Sequence, residues 1–270
     1  MKKVALVTGA SSGIGKDTAR LLQQNGYIVY GTARRIDKME DLKSTGIKIL
    51  KMDVTDDTAM VNGVQQIITD EGRLDVLVNN AGYGSYGALE DVPISEAKYQ
   101  FDVNVFGLAR LSQLVIPHMR KQKSGKIINI SSIGGKISEP HGAWYHSTKF
   151  AVEGLSDCLR QELKQFGLDV VVIEPGVILT EWNSIARDNL QKVSGNTVYK
   201  NLVQKHIKMF EKVDKTASKP IVIAKAIVKA ALALKPETRY VAGKGAGTIL
   251  FLRKILSDKL FDKVMLSLLK

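Results

Sequence analysis

Tyr145 and Lys149 stand four residues apart in the run Tyr145-His146-Ser147-Thr148-Lys149, which reads as the opening of a helix. Residues at that spacing share a helix face, so a phenol and an ammonium point the same way. A free phenol titrates near ~10, too high for proton exchange at neutral pH, and a nearby ammonium favours the phenolate. Lowering its pKa by about 3 units takes roughly 4 kcal/mol. That demands the ammonium together with a second positive charge. Ser132 precedes Tyr145 by 13 residues, at the end of an apolar run. Its hydroxyl can polarise a carbonyl as negative charge develops on the oxygen. Asn104 falls inside a helical stretch, where Asn is a poor fit; holding a water against Lys149 is one reason for it to be there. Proton transfer to or from a carbonyl or alcohol oxygen is the chemistry such a set can carry.

A second group of residues lies at the chain start, in Thr8-Gly9-Ala10-Ser11-Ser12-Gly13-Ile14-Gly15. Glycines allow a tight turn with positive φ and a close approach of backbone to a pyrophosphate. The helix that follows offers free N–H groups and a positive dipole end. The spacing is Gly-x-x-x-Gly-x-Gly rather than the common Gly-x-Gly-x-x-Gly. At the end of the second apolar run, where NAD sites place a carboxylate, stand Arg34 and Arg35. A guanidinium grips a 2′-phosphate that a carboxylate would repel, so the cofactor read from these residues is NADP(H). Asp53-Val54 ends the third run, where a carboxylate can accept from an adenine amino group. Asn79-Asn80-Ala81-Gly82 ends the fourth, with small residues that leave room for a cofactor.

Strand-like runs at 4–8, 28–32, 47–52, 76–78, 126–130, 170–174 and 239–242 position these groups. They alternate with helical stretches near 14–25, 38–44, 57–70, 95–120, 147–166 and 220–234. This rhythm predicts an α/β fold: one doubly wound, mostly parallel sheet of about seven strands, flanked by helices. Residues 1–247 read as one catalytic unit. Within it, residues from about 180 to 219 are helical in flavour but weakly patterned and make a candidate helical substrate lid. Trp182 there is the favoured substrate wall, and Tyr83 and Tyr86 are weaker candidates. Residues 248–270 read as an amphipathic helix, with packing on the core or on a partner subunit favoured over peripheral membrane contact.

The formal charge is +12, and the last 71 residues hold 16 Lys/Arg against 5 Asp/Glu. Such a patch can attract an anionic substrate, an acidic protein, a membrane surface or nucleic acid. Aromatics are 6% of the chain and no stacking platform is visible, which argues against nucleic acid. The single cysteine, Cys158, rules out an internal disulfide framework and reads as core or interface. His118, His141 and His206 lack ligand spacing, so no metal is expected, and His146 should turn away from Tyr145. No run of 18 apolar residues exists; the expected location is the cytoplasm.

Taken in order, Thr8–Gly15, Asp53, Asn79–Gly82, Asn104, Ser132, Tyr145, Lys149, Pro175-Gly176 and Thr180 resemble the short-chain dehydrogenases/reductases, in their compact single-domain branch with a Rossmann fold. The resemblance implies a tetrad: Tyr145 as general acid/base, Lys149 lowering its pKa and holding the nicotinamide ribose, Ser132 orienting the carbonyl, Asn104 completing a water-linked relay. It also implies that Val177, Ile178 and Thr180 touch the carboxamide end, and that the chain forms a homodimer or homotetramer. The long C-terminus is similar to 17β-hydroxysteroid dehydrogenase-like and acyl-dihydroxyacetone-phosphate reductase-like members, which act on bulky apolar substrates. The expected activity is thus an NADP(H)-dependent oxidoreductase acting on a small-molecule carbonyl or alcohol. The alternatives are a non-catalytic NADP(H)-binding sensor or scaffold, and a nucleotide-sugar epimerase or dehydratase.

Overall fold

The computed structural model describes residues 2–269. Met1 and Lys270, outer bounds of the expected catalytic unit and terminal helix, lie outside the described residues. Seven parallel strands form one sheet in the order β3-β2-β1-β4-β5-β6-β7. They are β1 Val4–Thr8, β2 Ile28–Ala33, β3 Lys48–Lys51, β4 Val76–Asn79, β5 Gly125–Ile130, β6 Leu168–Pro175 and β7 Arg239–Ala242. The helices are α1 Gly13–Gln24, α2 Glu40–Lys43, α3 Asp57–Glu71, α4 Ile94–Phe101, α5 Gly107–Gln122, α6 Ala143–Leu163, α7 Glu181–Ser194, α8 Lys200–Asp214, α9 Ile221–Leu232, α10 Ala246–Ile255 and α11 Asp258–Ser267.

Every residue of β1 is buried because helices cover both faces of the sheet. Side chains alternate across a strand. Ala5 and Val7 therefore enter one core, with Leu22, Ile173 and Ile227. Val4 and Leu6 enter the other, with Leu77, Leu111 and Val170. The strand order reverses between β1 and β4. At such a switch point the loops leaving the carboxyl ends part and open a crevice.

Three expectations need correction. The helix expected at 95–120 is interrupted by a π turn at Asp102–Phe106. Asn104 lies in that turn and bonds the backbone of Tyr83 from it. The helix expected from 147 starts at Ala143, because His146 N–H already bonds the Gly142 carbonyl. The 180–219 segment is helical as expected: α7 and α8 pack on each other and on Tyr86 through Ala186, Leu190 and Val203. The terminal segment is two helices, not one, with extended backbone at Leu256 and Ser257 between them. The break lets Phe261 and Met265 fold back onto Ile137, Ile249 and Leu252, covering apolar surface that a straight helix would leave in water.

Candidate active site

At the crevice the end of β1 is tied to the loop after β4 by side chains from both. The Thr8 hydroxyl accepts from the backbone N–H of Asn80 and Ala81, both at 2.9 Å. Asn80 Nδ2 donates to the Thr8 carbonyl at 2.9 Å. Asn79 Nδ2 reaches Asn129 Oδ1 on β5 at 2.9 Å, tying the two central strands together. Gly9 has φ of 66°, a conformation that penalises any side chain. A Cβ on Gly15 would lie 2.5 Å from Asn80 Nδ2, so only glycine fits.

A cavity of about 780 Å³ starts at the β1–α1 turn. Its first arm is lined by Gly9, Ser11, Ser12, Gly13, Ile14, Arg34, Arg35, Asp53, Val54, Asn80, Ala81 and Gly82. Arg34 Nη1 donates to the Tyr99 hydroxyl at 2.7 Å, and its head is 62% exposed. Arg35 Nη2 pairs with Glu181 Oε2 at 2.9 Å, and Lys38 Nζ with Glu181 Oε1 at 3.1 Å. These cations hold the Glu181 carboxyl below its ordinary range. Asp53 Oδ1 accepts from Thr55 N–H and hydroxyl, which fixes the loop after β3.

The second arm continues past Ser132, Tyr145, Lys149, Pro175, Gly176, Val177, Ile178 and Thr180 into a region walled by Trp182, Ile185, Met209, Phe210, Leu252 and Leu268. Trp182 lies 4.9 Å from Tyr145 between ring centroids. Lys149 Nζ donates to the Ile130 carbonyl at 3.0 Å and stands 5.8 Å from the Tyr145 ring centroid. Burial lowers the Lys149 ammonium to about 8, opposed by Glu153. Burial lifts the Tyr145 phenol to about 12; the Ser132 hydroxyl pulls it down and Glu139 pushes it up. Desolvation is the largest of these influences on the phenol.

Two expected site residues stand behind the cavity rather than on it. Gly15 packs beneath the turn, against Gly9 and Asn80. The Asn104 amide is committed locally: Oδ1 accepts from Tyr83 N–H at 2.7 Å, and Nδ2 donates to the Tyr83 carbonyl and the Thr148 hydroxyl. Its side chain pins the loop after β4. Cys158 is exposed on α6, not in the core, since it falls on the face opposite Val152 and Ser156. His146 is buried and bonds the Gly134 carbonyl through Nδ1 at 2.9 Å. Among the described residues no group of His, Cys, Asp and Glu is arranged to hold a metal, and no helix is long and apolar enough to cross a membrane.

Sequence reasoning missed Lys38, Glu139 and the meeting of His141 with His206, whose Nδ1 atoms lie 2.9 Å apart. Those histidines are 65 positions apart, so no spacing signal exists; only the packing of α8 against the loop after β5 unites them.

Residues 3–191 match the family model for short chain dehydrogenases. A 3-ketodihydrosphingosine reductase of Bacteroides thetaiotaomicron is 38% identical over 89% of this chain and 88% of its own. An NADPH-dependent 3-dehydrocapnine reductase of Ornithobacterium rhinotracheale is 34% identical over 99% and 98%. Among solved structures, a short-chain dehydrogenase from Streptomyces avermitilis matches with a TM-score of 0.78 at 32% identity, over 99% of this chain and 94% of that one. A metagenomic short-chain oxidoreductase in complex with NADP matches with a TM-score of 0.70 at 28% identity, over 88% and 96%. With the strand order, the glycine turn and the Ser132, Tyr145 and Lys149 constellation already in hand, the chain belongs to the short-chain dehydrogenase family of oxidoreductases.

Proposed function

We propose that this chain reduces a ketone or aldehyde on a bulky apolar substrate at the expense of NADPH, with Tyr145 delivering the proton. The observation that carries the reading is the position of Tyr145, where the glycine-turn arm of the cavity meets the apolar arm. Two of the relatives are reductases of a 3-keto and a 3-dehydro compound, and one solved neighbour holds NADP.

The first arm fits a dinucleotide. Its turn excludes a Cβ at Gly9 and Gly15, which leaves backbone N–H groups of Ser11 to Ile14 open to phosphates. Arg34 and Arg35 would take the 2′-phosphate, Asp53 and Val54 the adenine, Asn80 to Gly82 and Lys149 the ribose near the nicotinamide. Pro175, Gly176, Val177, Ile178 and Thr180 would meet the carboxamide. The reduced nicotinamide supplies a hydride. Ser132 orients the carbonyl and stabilises the developing alkoxide. Tyr145, a protonated phenol at neutral pH with its pKa near 12, gives its proton to that oxygen. Lys149, still an ammonium below about 8, supports the phenolate left behind. Asn104 acts by positioning the loop after β4. Residues 1–247 form the catalytic unit in this reading, and the described part of 248–270 covers the apolar arm. Exposed Phe106 and Phe150 give the α5 and α6 side an apolar surface for a homo-oligomer. A sensor or scaffold role draws no support from a site in which Ser132, Tyr145 and Lys149 converge.

The test is loss of NADPH absorbance with short aldehydes, long-chain ketones including 3-ketodihydrosphingosine, and keto-steroids. Turnover that prefers NADPH to NADH and disappears in Tyr145→Phe supports the reading. Turnover that survives Tyr145→Phe overturns the mechanism.

A further inference from the structure

Next to Tyr145 the second arm holds a carboxyl group that the proton transfer does not use. Glu139 lines the cavity, and its Oε1 accepts from the Tyr86 hydroxyl at 3.0 Å. Among the described residues no Lys or Arg reaches it. Its neighbours are imidazoles: His146 Nε2 lies 3.9 Å from Oε1, and His206 Nε2 lies 3.9 Å from Oε2. Both nitrogens are buried without a hydrogen-bond partner, as is His141 Nε2. His146 donates its Nδ1–H to the Gly134 carbonyl, so in the neutral ring Nε2 offers a lone pair. Burial keeps all three rings below their ordinary pKa, His206 down to about 3. The carboxyl is thus surrounded by uncharged groups, and burial lifts it to about 7.

Taking an ionised carboxylate out of water is costly unless a cation pairs with it. The described residues provide none, while the cavity brings a ligand to the same place. A ligand ammonium has three N–H donors. They can satisfy Glu139 and the acceptor nitrogen of His146 together. The walls suit a cation as well: Tyr86 has Trp182 and Phe210 around it, with ring centroids 5.8 and 5.5 Å away, and aromatic faces attract ammonium groups. The Tyr86 and Tyr145 ring centroids are 5.7 Å apart. The cation site is therefore one ring away from the proton donor.

We infer that Glu139, with Tyr86 and His146, forms an ammonium subsite, and that the substrate is an amino ketone with its amine within a bond or two of the carbonyl and an apolar tail along Ile185, Met209 and Leu252. This rests on the carbonyl-reduction reading for the identity of the ketone, but the ammonium subsite itself is testable without turnover.

The experiment is calorimetric titration of the full chain at pH 8 with decylamine and, separately, decan-1-ol. Decylamine should bind about 10- to 100-fold more tightly, the scale of one charge-assisted hydrogen bond. Glu139→Gln should bring the ratio close to one, and Tyr86→Phe should reduce it. Equal binding of amine and alcohol by the native chain overturns the subsite. So does a preference that survives Glu139→Gln. If Glu139→Gln does not fold, Tyr86→Phe decides: an unchanged ratio counts against the subsite, a reduced one for it. An amine preference without turnover of any ketone would sink the carbonyl-reduction reading and leave the subsite standing. Turnover without amine preference would do the reverse.

Discussion

The two arms of the cavity are built from different materials. The nucleotide arm is made of backbone: a turn held by Thr8 and Asn80, glycines that exclude a Cβ, and small residues at the end of β4. The apolar arm is made of side chains on four helices from two separate stretches of the chain: Trp182 on α7 and Phe210 on α8, then Leu252 on α10 and Met265 on α11. A wall of backbone admits one kind of occupant and tolerates almost no change. A wall of side chains can be resized by a single substitution while the fold stays as it is.

Changes at the junction and in each arm should separate accordingly. At the junction, Tyr145→Phe should lower kcat by about 10²- to 10⁴-fold while the NADPH Kd from fluorescence titration stays within about twofold. A parallel loss of NADPH binding would mean that Tyr145 belongs to the nucleotide arm. Gly15→Ala drives a methyl to 2.5 Å from Asn80 Nδ2 and should cost about 1–3 kcal/mol of stability, together with most NADPH binding. Gly247, in α10 behind the other arm, has nothing within 4 Å of an added Cβ. Gly247→Ala in α10 should leave NADPH binding alone and raise the unfolding temperature slightly, by helix propensity. If the two glycines respond alike to calorimetry and titration, the contrast of materials is wrong.

Arg34→Ala should weaken NADPH by about tenfold or more, the scale of a charge-assisted hydrogen bond, and leave NADH nearly unchanged. Equal losses would remove the phosphate grip. Leu252→Trp should narrow the substrate arm, lowering kcat/KM several-fold more for long-chain than for short ketones, with the NADPH Kd unchanged. Finally, kcat/KM for reduction of a ketone without an amine should be level below about pH 8 and fall above it, as Lys149 loses the proton that its lowered pKa releases. A profile level through pH 9 would take Lys149 out of the proton path.

The difference in material also explains what could be read beforehand. The turn from Thr8 to Gly15 is a local matter: consecutive residues meet the same ligand, so their order in the chain carries the information. Arg34, Arg35, Asp53 and Asn80 each follow a strand at its carboxyl end, and the strand rhythm alone places them. Tyr145 and Lys149 are one helical turn apart. Nothing comparable announces Glu139, which gains its meaning from Tyr86 and from histidines brought in by packing. The π turn around Asn104 was hidden because its cause is the Tyr83 backbone, 21 residues away. The break at Leu256 and Ser257 was hidden for a similar reason. An apolar stripe at helical spacing shows that a segment is buried, and the fold-back onto Ile137 depends on where the rest of the core lies.

The bridge from Arg35 and Lys38 to Glu181 joins the nucleotide arm to the first turn of α7. One carboxylate is therefore a rival for any phosphate that seeks Arg35 and also a mooring for the helix that carries Trp182. Charge arriving at one end is felt as slack at the other. By thermodynamic reciprocity, whatever factor the nucleotide's phosphate imposes on the freedom of α7, a ligand that settles α7 must return to the nucleotide.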